Sequence, residues 1–202
     1  MDGKLSFFSD ECPVWRHFRN GDQAALGRIF NENYESLYFY GKKLVTDDDL
    51  VKDCVQNLFL KMWVTRHKLT AVKSVRPYLL KSLRRHIGDQ MISKNREKHF
   101  NQQFNGDFDV IFSHEDFLIA LQTSQEQSDT LVNCLNHLPS RQREAIFLRF
   151  YETLGYEKIA EVMNLNVQSV RNLIYQSLKS IKDQLSTPAA VLVNRDPSDQ
   201  IF

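Results

Sequence analysis

The sequence predicts an all-α protein made of two small helical domains that are joined by an acidic linker. Apolar residues recur at helical spacing, no long run alternates as a strand would, and the 202 residues include only seven Gly and five Pro. The 42% hydrophobic content is sufficient for compact cores. We divide the chain into an N-terminal extension (1–21), a first helical domain (22–100), the acidic linker (101–130), a second helical domain (131–186) and a disordered tail (187–202).

The cysteines and the lack of targeting features predict a soluble, cytoplasmic protein. Cys12, Cys54 and Cys134 are odd in number and lack a C-x-x-C spacing, so we expect neither a disulfide framework nor a zinc site. The sequence shows no signal-peptide pattern and no apolar segment of membrane-spanning length.

No recognisable catalytic motif is present. The six histidines are scattered, and the chain lacks a His-Glu-x-x-His sequence, a Gly-rich phosphate loop and a Ser or Cys nucleophile signature. The cluster Asp47-Asp48-Asp49 could bind a divalent metal, but one helical turn supplies too few ligands, so helix capping is the preferred interpretation. We therefore expect no catalytic residue, no metal site and no cofactor.

Capping signals define the first helices. A short helix is predicted at residues 14–18, and Asp22 is expected to cap a second helix that ends at Lys43. Thr46 is expected to cap the third helix, with Asp49 at the capping-box position.

The third predicted helix, from residue 47 to about residue 66, carries two different faces. Its inward face is apolar and comprises Val51, Cys54 or Val55, Leu58, Phe59 and Met62. Its opposite face, which we call the docking stripe, comprises Asp53, Gln56, Asn57, Leu60 and Lys61. An exposed leucine among hydrogen-bonding side chains is typical of a partner-docking surface, although a lone exposed leucine is also common on ordinary surfaces.

Charge is distributed unevenly, although the net charge is only +1. Residues 61–98 contain eleven Lys or Arg and two acidic residues, whereas residues 105–130 contain six acidic residues and no Lys or Arg. The basic block comprises a loop, residues 65–76, and a helix that Pro77 is expected to open. The inward residues of this helix are Leu79, Leu83, Ile87 and Met91. Such a segment can hold phosphates and accept unstacked bases, and the alternative is a solvated charged face.

Residues 138–185 predict a helix-turn-helix. Ser140 is expected to cap a helix, Gly155 interrupts the chain, and a short helix at residues 156–163 precedes the turn Asn164-Leu165-Asn166. The last helix has the apolar stripe Val170, Ile174, Leu178, Ile181 and Leu185. A short helix, a tight turn and a longer amphipathic helix form the unit that inserts its second helix into the DNA major groove.

The opposite side of that last helix is polar. The outward residues are Gln168, Ser169, Arg171, Asn172, Tyr175, Gln176 and Lys179. Gln, Asn and Arg can make paired hydrogen bonds to base edges, which favours DNA recognition over a merely solvated face of a helical bundle.

These motifs together resemble the extracytoplasmic-function (ECF) subgroup of bacterial RNA polymerase sigma factors. The resemblance covers residues 22–185. It is carried in order by Asp53-x-x-Gln56-x-x-Phe59 followed by Trp63, Tyr78-Leu79, Leu138-Pro139, and Ile159-Ala160 followed by Val170-Arg171.

The resemblance implies a factor that binds core RNA polymerase, recognises the minus-thirty-five and minus-ten promoter elements, helps to melt the promoter and directs transcription initiation. It assigns the docking stripe to core polymerase and the acidic linker to the polymerase RNA channel. It assigns binding of the melted minus-ten non-template strand to His67, Lys68, Lys73, Arg76, Lys81, Arg84 and Arg85. It assigns binding of the minus-thirty-five duplex to Gln168, Ser169, Arg171, Asn172, Tyr175 and Lys179. An anti-sigma factor is a further partner expected from the family, and no direct insertion into a membrane is expected.

Two other functions are compatible with parts of the sequence. An ordinary helix-turn-helix regulator would explain the second domain but not the docking stripe or the basic segment. An enzyme that acts on nucleic acid would require a catalytic motif, which the sequence does not contain.

Overall fold

The structure is a computed structural model that describes residues 11–98 and 125–186. These residues form α-helices and short helical turns without a strand, which confirms the predicted all-α class. Most of the predicted acidic linker, the predicted disordered tail and the first part of the N-terminal extension lie outside the described residues.

The first helical unit contains four α-helices. They are α1 (Pro13–Arg19), α2 (Gln23–Leu44), α3 (Asp48–Thr65) and α4 (Val75–Lys98), and a 3₁₀ turn, Arg66–Lys68, follows α3. Asp22 caps α2 as predicted, because its Oδ1 atom accepts hydrogen bonds from the N–H groups of Ala24 at 2.8 Å and Ala25 at 3.2 Å.

Two predicted helix starts are wrong. Asp47, not Thr46, caps α3, and its Oδ1 atom accepts the N–H of Leu50 at 3.0 Å. Helix α4 begins at Val75 rather than at Pro77. Pro77 still lies in the first turn, where backbone N–H groups have no partner within the helix, so its missing N–H costs little.

Helix α1 fastens the loop that precedes α4. The N–H of Cys12 donates to the carbonyl of Val72 at 2.8 Å, and the indole Nε1 of Trp15 donates to the carbonyl of Thr70 at 2.9 Å. Trp15 is fully buried and its ring lies edge-on to Tyr78, with centroids 4.9 Å apart. The N-terminal segment therefore shapes the basic loop, which the sequence did not reveal.

The second helical unit contains the predicted helix-turn-helix. Its helices are α5 (Gln125–Asn136), α6 (Ser140–Ile146), α7 (Tyr156–Met163) and α8 (Val167–Ser186). Helix α5 begins before residue 131, where we placed the start of this domain. Ser140 is the first residue of α6 and not its cap; Pro139 holds the cap position, and its carbonyl accepts the N–H groups of Gln142 and Arg143.

A π-helical segment, Phe147–Tyr151, continues from α6 and was not predicted. In this wider turn Leu148 is buried whereas Phe150 is exposed. Helix α4 of the first unit packs against α7 of the second unit. The two helical units therefore share an interface.

Candidate polymerase and nucleic-acid interfaces

The docking stripe on α3 is exposed, and the opposite face of the helix is buried as predicted. All five stripe residues are exposed to solvent, and the side chain of Leu60 is 63% exposed. Val64, one helical turn beyond Leu60, is 67% exposed and extends the apolar part of the stripe. Val64 was not predicted as part of the stripe, although its spacing from Leu60 indicates the same face of the helix.

Two of the three acidic residues at the start of α3, Asp47 and Asp48, have local partners. Asp47 caps the helix, and Asp48 lies 2.7 Å from Lys42 and 2.8 Å from Lys52 while it accepts the hydroxyl of Tyr38 at 2.7 Å. These cations and this hydroxyl hold the pKa of Asp48 well below its usual range. Asp47 therefore caps the helix and Asp48 pairs with lysines, whereas the predicted capping box of Thr46 with Asp49 is wrong because the cap lies at Asp47.

The turn between α7 and α8 has the predicted geometry. Asn164 adopts the left-handed conformation (φ 55°, ψ 48°), and the N–H of Leu165 donates to the carbonyl of Ala160 at 3.0 Å. The side chain of Asn166 caps α8 by accepting the N–H of Ser169 at 2.7 Å. These contacts fix the angle at which α8 leaves the turn.

The buried face of α8 differs from the predicted stripe. Val170, Ile174 and Ile181 are buried, but Leu178 is 46% exposed and Leu185 is 51% exposed. Ser177 occupies the buried position that was predicted for Leu178. Its hydroxyl donates to the carbonyl of Leu173 at 2.7 Å, which satisfies the polar group inside the core.

The outward face of α8 carries every residue that we assigned to the minus-thirty-five element. Ser169 is half-buried, and the others are exposed: Gln168, Arg171, Asn172, Tyr175 and Lys179. Gln168 donates to Asn172 at 3.0 Å, and the guanidinium of Arg171 lies 5.6 Å from the ring centroid of Tyr156. These contacts hold three hydrogen-bonding side chains together on one exposed surface.

The residues assigned to the minus-ten strand do not form one uniform exposed surface. Arg84 is half-buried, and the other six are exposed: His67, Lys68, Lys73, Arg76, Lys81 and Arg85. His67 and Lys68 lie in the 3₁₀ turn after α3, Lys73 lies in the loop that α1 fastens, and Lys81 and Arg85 lie on α4.

Two residues of this set, Arg84 and Arg76, also lie close to carboxylates of the second helical unit. Arg84 donates to both carboxylate oxygens of Glu144, with distances of 2.7 Å from Nε to Oε1 and 3.2 Å from Nη2 to Oε2. Arg76 lies 3.9 Å from Glu152, which also accepts the hydroxyl of Ser36 at 2.7 Å. Neither glutamate was predicted to have a functional contact.

Burial changes the proton affinity of two groups in this interface. Tyr40 donates its hydroxyl to Glu144 at 2.7 Å, and burial, reinforced by the Glu144 charge, raises the pKa of Tyr40 well above its usual value. Burial also raises the pKa of Glu152, although Ser36 and Arg76 oppose this effect. The interface therefore contains polar groups that have lost much of their contact with water.

Comparison with known proteins gives the second unit a family assignment. Residues 128–181, which include α6 to the greater part of α8, match the family described as "Sigma-70, region 4". The chain is also 19% identical to the ECF RNA polymerase sigma factor SigK of Mycobacterium tuberculosis, over 92% of this chain and 98% of the relative. It is 24% identical to the ECF RNA polymerase sigma-E factor of Haemophilus influenzae, over 88% and 95% of the two chains.

Two solved structures share the fold. The sigma factor RpoE of Bartonella quintana, solved with the anti-sigma factor NepR, gives a TM-score of 0.57 at 20% identity over 80% of this chain and 97% of that chain. CnrH, solved with the cytosolic domain of CnrY, also gives 0.57 at 17% identity over 85% and 94%. The fold and the region 4 match define a sigma-70-type transcription factor. The sequence similarity to these relatives covers almost the whole chain. The protein belongs to the ECF sigma factors, which act in transcription initiation.

Within the described ranges, no helix is both long and apolar enough to cross a membrane.

Proposed function

We propose that this protein binds core RNA polymerase, recognises the minus-thirty-five and minus-ten elements, helps to melt the promoter and so directs initiation. The observation that carries this proposal is the exposed face of α8. Gln168, Arg171 and Asn172 lie together on the second helix of a helix-turn-helix whose turn is fixed by Asn164 and Asn166. A helix so placed presents its first turns to the bases in a major groove.

Recognition of the minus-thirty-five element follows from the chemistry of that face. Arg can make a bidentate contact with guanine, and Asn and Gln can do so with adenine. Lys179 lies farther along α8, at an exposed position where a cation would meet the phosphate backbone. We therefore assign base reading to Gln168, Arg171 and Asn172, and contacts that position the duplex to Ser169, Tyr175 and Lys179.

Strand binding at the minus-ten element needs charge and shape but no catalytic residue. The loop before α4 and the exposed cations of α4 offer phosphate contacts, and binding of the single strand offsets the free energy of unpairing. The chemistry of RNA synthesis belongs to the polymerase, so we propose an initiation factor and not an enzyme.

Polymerase binding is assigned to the docking stripe with Val64 added. Leu60 and Val64 provide exposed apolar area, and Asp53, Gln56, Asn57 and Lys61 surround it with hydrogen-bonding groups. An apolar centre with a polar rim is the usual composition of a specific protein interface. An anti-sigma factor is a further partner that we propose, because RpoE of Bartonella quintana was solved with one.

Run-off transcription tests the proposed function. Core polymerase would be incubated with genomic fragments, with and without this protein, and transcript starts would be mapped. We expect promoter-specific transcripts only when the protein is present, and the mapped starts would give both promoter elements. Tight duplex binding by the protein alone, without transcripts, would instead identify an ordinary helix-turn-helix regulator.

A further inference from the structure

We propose that the second helical unit competes with the promoter strand for α4. In the free protein, Glu144 and Glu152 engage the arginines Arg84 and Arg76, which the melted minus-ten strand would otherwise bind. The protein then rests in a closed state with low affinity for that strand. The competition rests on the proposed minus-ten role of α4, whereas the closed contact itself does not.

The contact between Arg84 and Glu144 occupies the groups that a phosphate would need. The guanidinium uses Nε and Nη2 on the two carboxylate oxygens, which is the forked geometry that Arg also presents to phosphates. The side chain of Arg84 is only 17% exposed and that of Glu144 is 1% exposed. Arg84 therefore cannot engage a strand in this way until Glu144 withdraws.

Glu144 accepts hydrogen bonds from two helices of the first unit, α2 and α4. Its Oε1 atom accepts the Tyr40 hydroxyl from α2 and Nε of Arg84 from α4, each at 2.7 Å. The ring of Tyr40 also stacks on Phe147, with centroids 5.9 Å apart. Directional contacts of this kind set one relative position of the two units.

A second carboxylate extends the same interface. Glu152 accepts the hydroxyl of Ser36 on α2 and lies 3.9 Å from Arg76 on α4. Two arginines assigned to the minus-ten strand thus face carboxylates of the other unit, so the second unit places negative charge where phosphates are expected. The docking stripe lies outside this interface and remains exposed, so core polymerase can bind the closed protein.

The polar character of the interface allows it to open. A buried ion pair gains Coulomb energy but loses the hydration of both ions, so its net stabilisation is small. Separation of the two units returns water to Arg84, Glu144 and Tyr40 together and leaves none of them buried without a partner. A polyanionic strand that binds the arginines would then favour the open state.

The test uses the full-length chain with a fluorophore on each unit. Donor and acceptor dyes are attached at Gln23→Cys on α2 and Lys182→Cys on α8, both exposed positions, with Cys12→Ser to remove the most accessible native thiol. The variant Glu144→Gln/Glu152→Gln removes both interface charges. The control Glu157→Gln/Glu161→Gln removes two exposed charges from the same unit.

Two quantities are measured for each protein: the energy-transfer efficiency and the affinity for a labelled single strand that carries a mapped minus-ten element. We expect the interface variant to lower the transfer efficiency and to raise the strand affinity about tenfold, as when an open state of about 10% becomes dominant. The control should change neither quantity. Circular dichroism melting checks that each variant is folded.

The possible failures identify different errors. Unchanged transfer efficiency with unchanged affinity would overturn the closed state but leave the proposed function intact, because the strand would still bind. Lower transfer efficiency with unchanged affinity would show that the units separate without exposing a strand site, which overturns the competition and the minus-ten role of Arg84 and Arg76. If the double variant does not fold, Tyr40→Phe decides by the same measurements, with a smaller change expected in the same direction.

Discussion

The docking stripe of α3 and the basic segment that ends in α4 are both proposed binding surfaces, but the structure presents them differently. Every residue of the stripe is exposed, and Val64 enlarges its apolar centre. In the basic segment, Arg84 and Arg76 face carboxylates of the other helical unit. One surface is available to a partner in the closed protein, and the other is partly occupied.

The difference shows what helical periodicity can predict about a surface. The stripe depends only on which residues of α3 face away from α2 and α4, and that follows from the spacing of the apolar residues along one helix. Occupation of the basic segment depends on Glu144 and Glu152, which belong to a distant part of the chain. Periodicity within α4 contains no information about them.

The largest effect is expected at the docking stripe. Leu60→Asp should weaken binding of core polymerase by about 2 kcal/mol, roughly thirtyfold, because it places a charge at the apolar centre of the interface. Titration of core polymerase measures the change. Leu185→Asp is the matched control, since this leucine on α8 is also about half exposed. An equal loss of affinity in both variants would remove the special role of the stripe.

The recognition face of α8 should show a comparable effect. Arg171→Ala should weaken recognition of the minus-thirty-five element by ~1–3 kcal/mol if the guanidinium contacts a base. Transcription from the wild-type element and from single-base variants measures it. Lys182→Ala, an exposed cation farther along α8, should weaken all templates alike. If Arg171→Ala leaves the preference between templates unchanged, this arginine does not read a base.

Local signals predicted much of the fold and of the exposed sites. Asp22 caps α2, Asn164 adopts the left-handed conformation and Asn166 caps α8, because each of these roles depends on neighbouring residues alone. The docking stripe followed from periodicity, but the exact buried face of α8 did not. Ser177 satisfies its hydroxyl within its own helix and can replace a leucine in the core, which apolar spacing does not indicate.

Long-range contacts explain what the sequence did not reveal. Tyr40 and Glu144 are 104 residues apart, and Ser36 and Glu152 are 116 residues apart. Nothing in the neighbourhood of either glutamate distinguishes it from a solvated surface residue. The role of Trp15 was missed for the same reason, since its partner Thr70 lies 55 residues away.

The link between α1 and the basic loop should have a smaller effect than the two binding surfaces. Trp15→Phe keeps an aromatic ring but removes the N–H that Thr70 accepts, so the free energy of unfolding should fall by about 1 kcal/mol. Urea denaturation measures that change, and amide hydrogen exchange in residues 69–74 should become faster. Trp63→Phe is the control, because no hydrogen bond from its indole N–H is found among residues 11–98 and 125–186. Equal exchange in the two variants would contradict the fastening role of α1.

The smallest effect is a difference in pH dependence between the two regions. Burial raises the folded-state pKa of Glu152 above its ordinary 4.5, so the folded protein binds more protons than the unfolded chain above that pH. Its contribution to stability therefore falls as pH rises from 4.5 through the folded pKa, and Glu152→Gln should flatten that slope. Asp48 on α3 has a lowered pKa, so its contribution is present above its ordinary 3.8 and is lost as pH falls below it. Denaturation of Glu152→Gln and Asp48→Asn across about pH 2–8 separates the two windows. A Glu152→Gln stability curve parallel to that of the wild type above pH 4.5 would mean that Glu152 is solvated in the free protein.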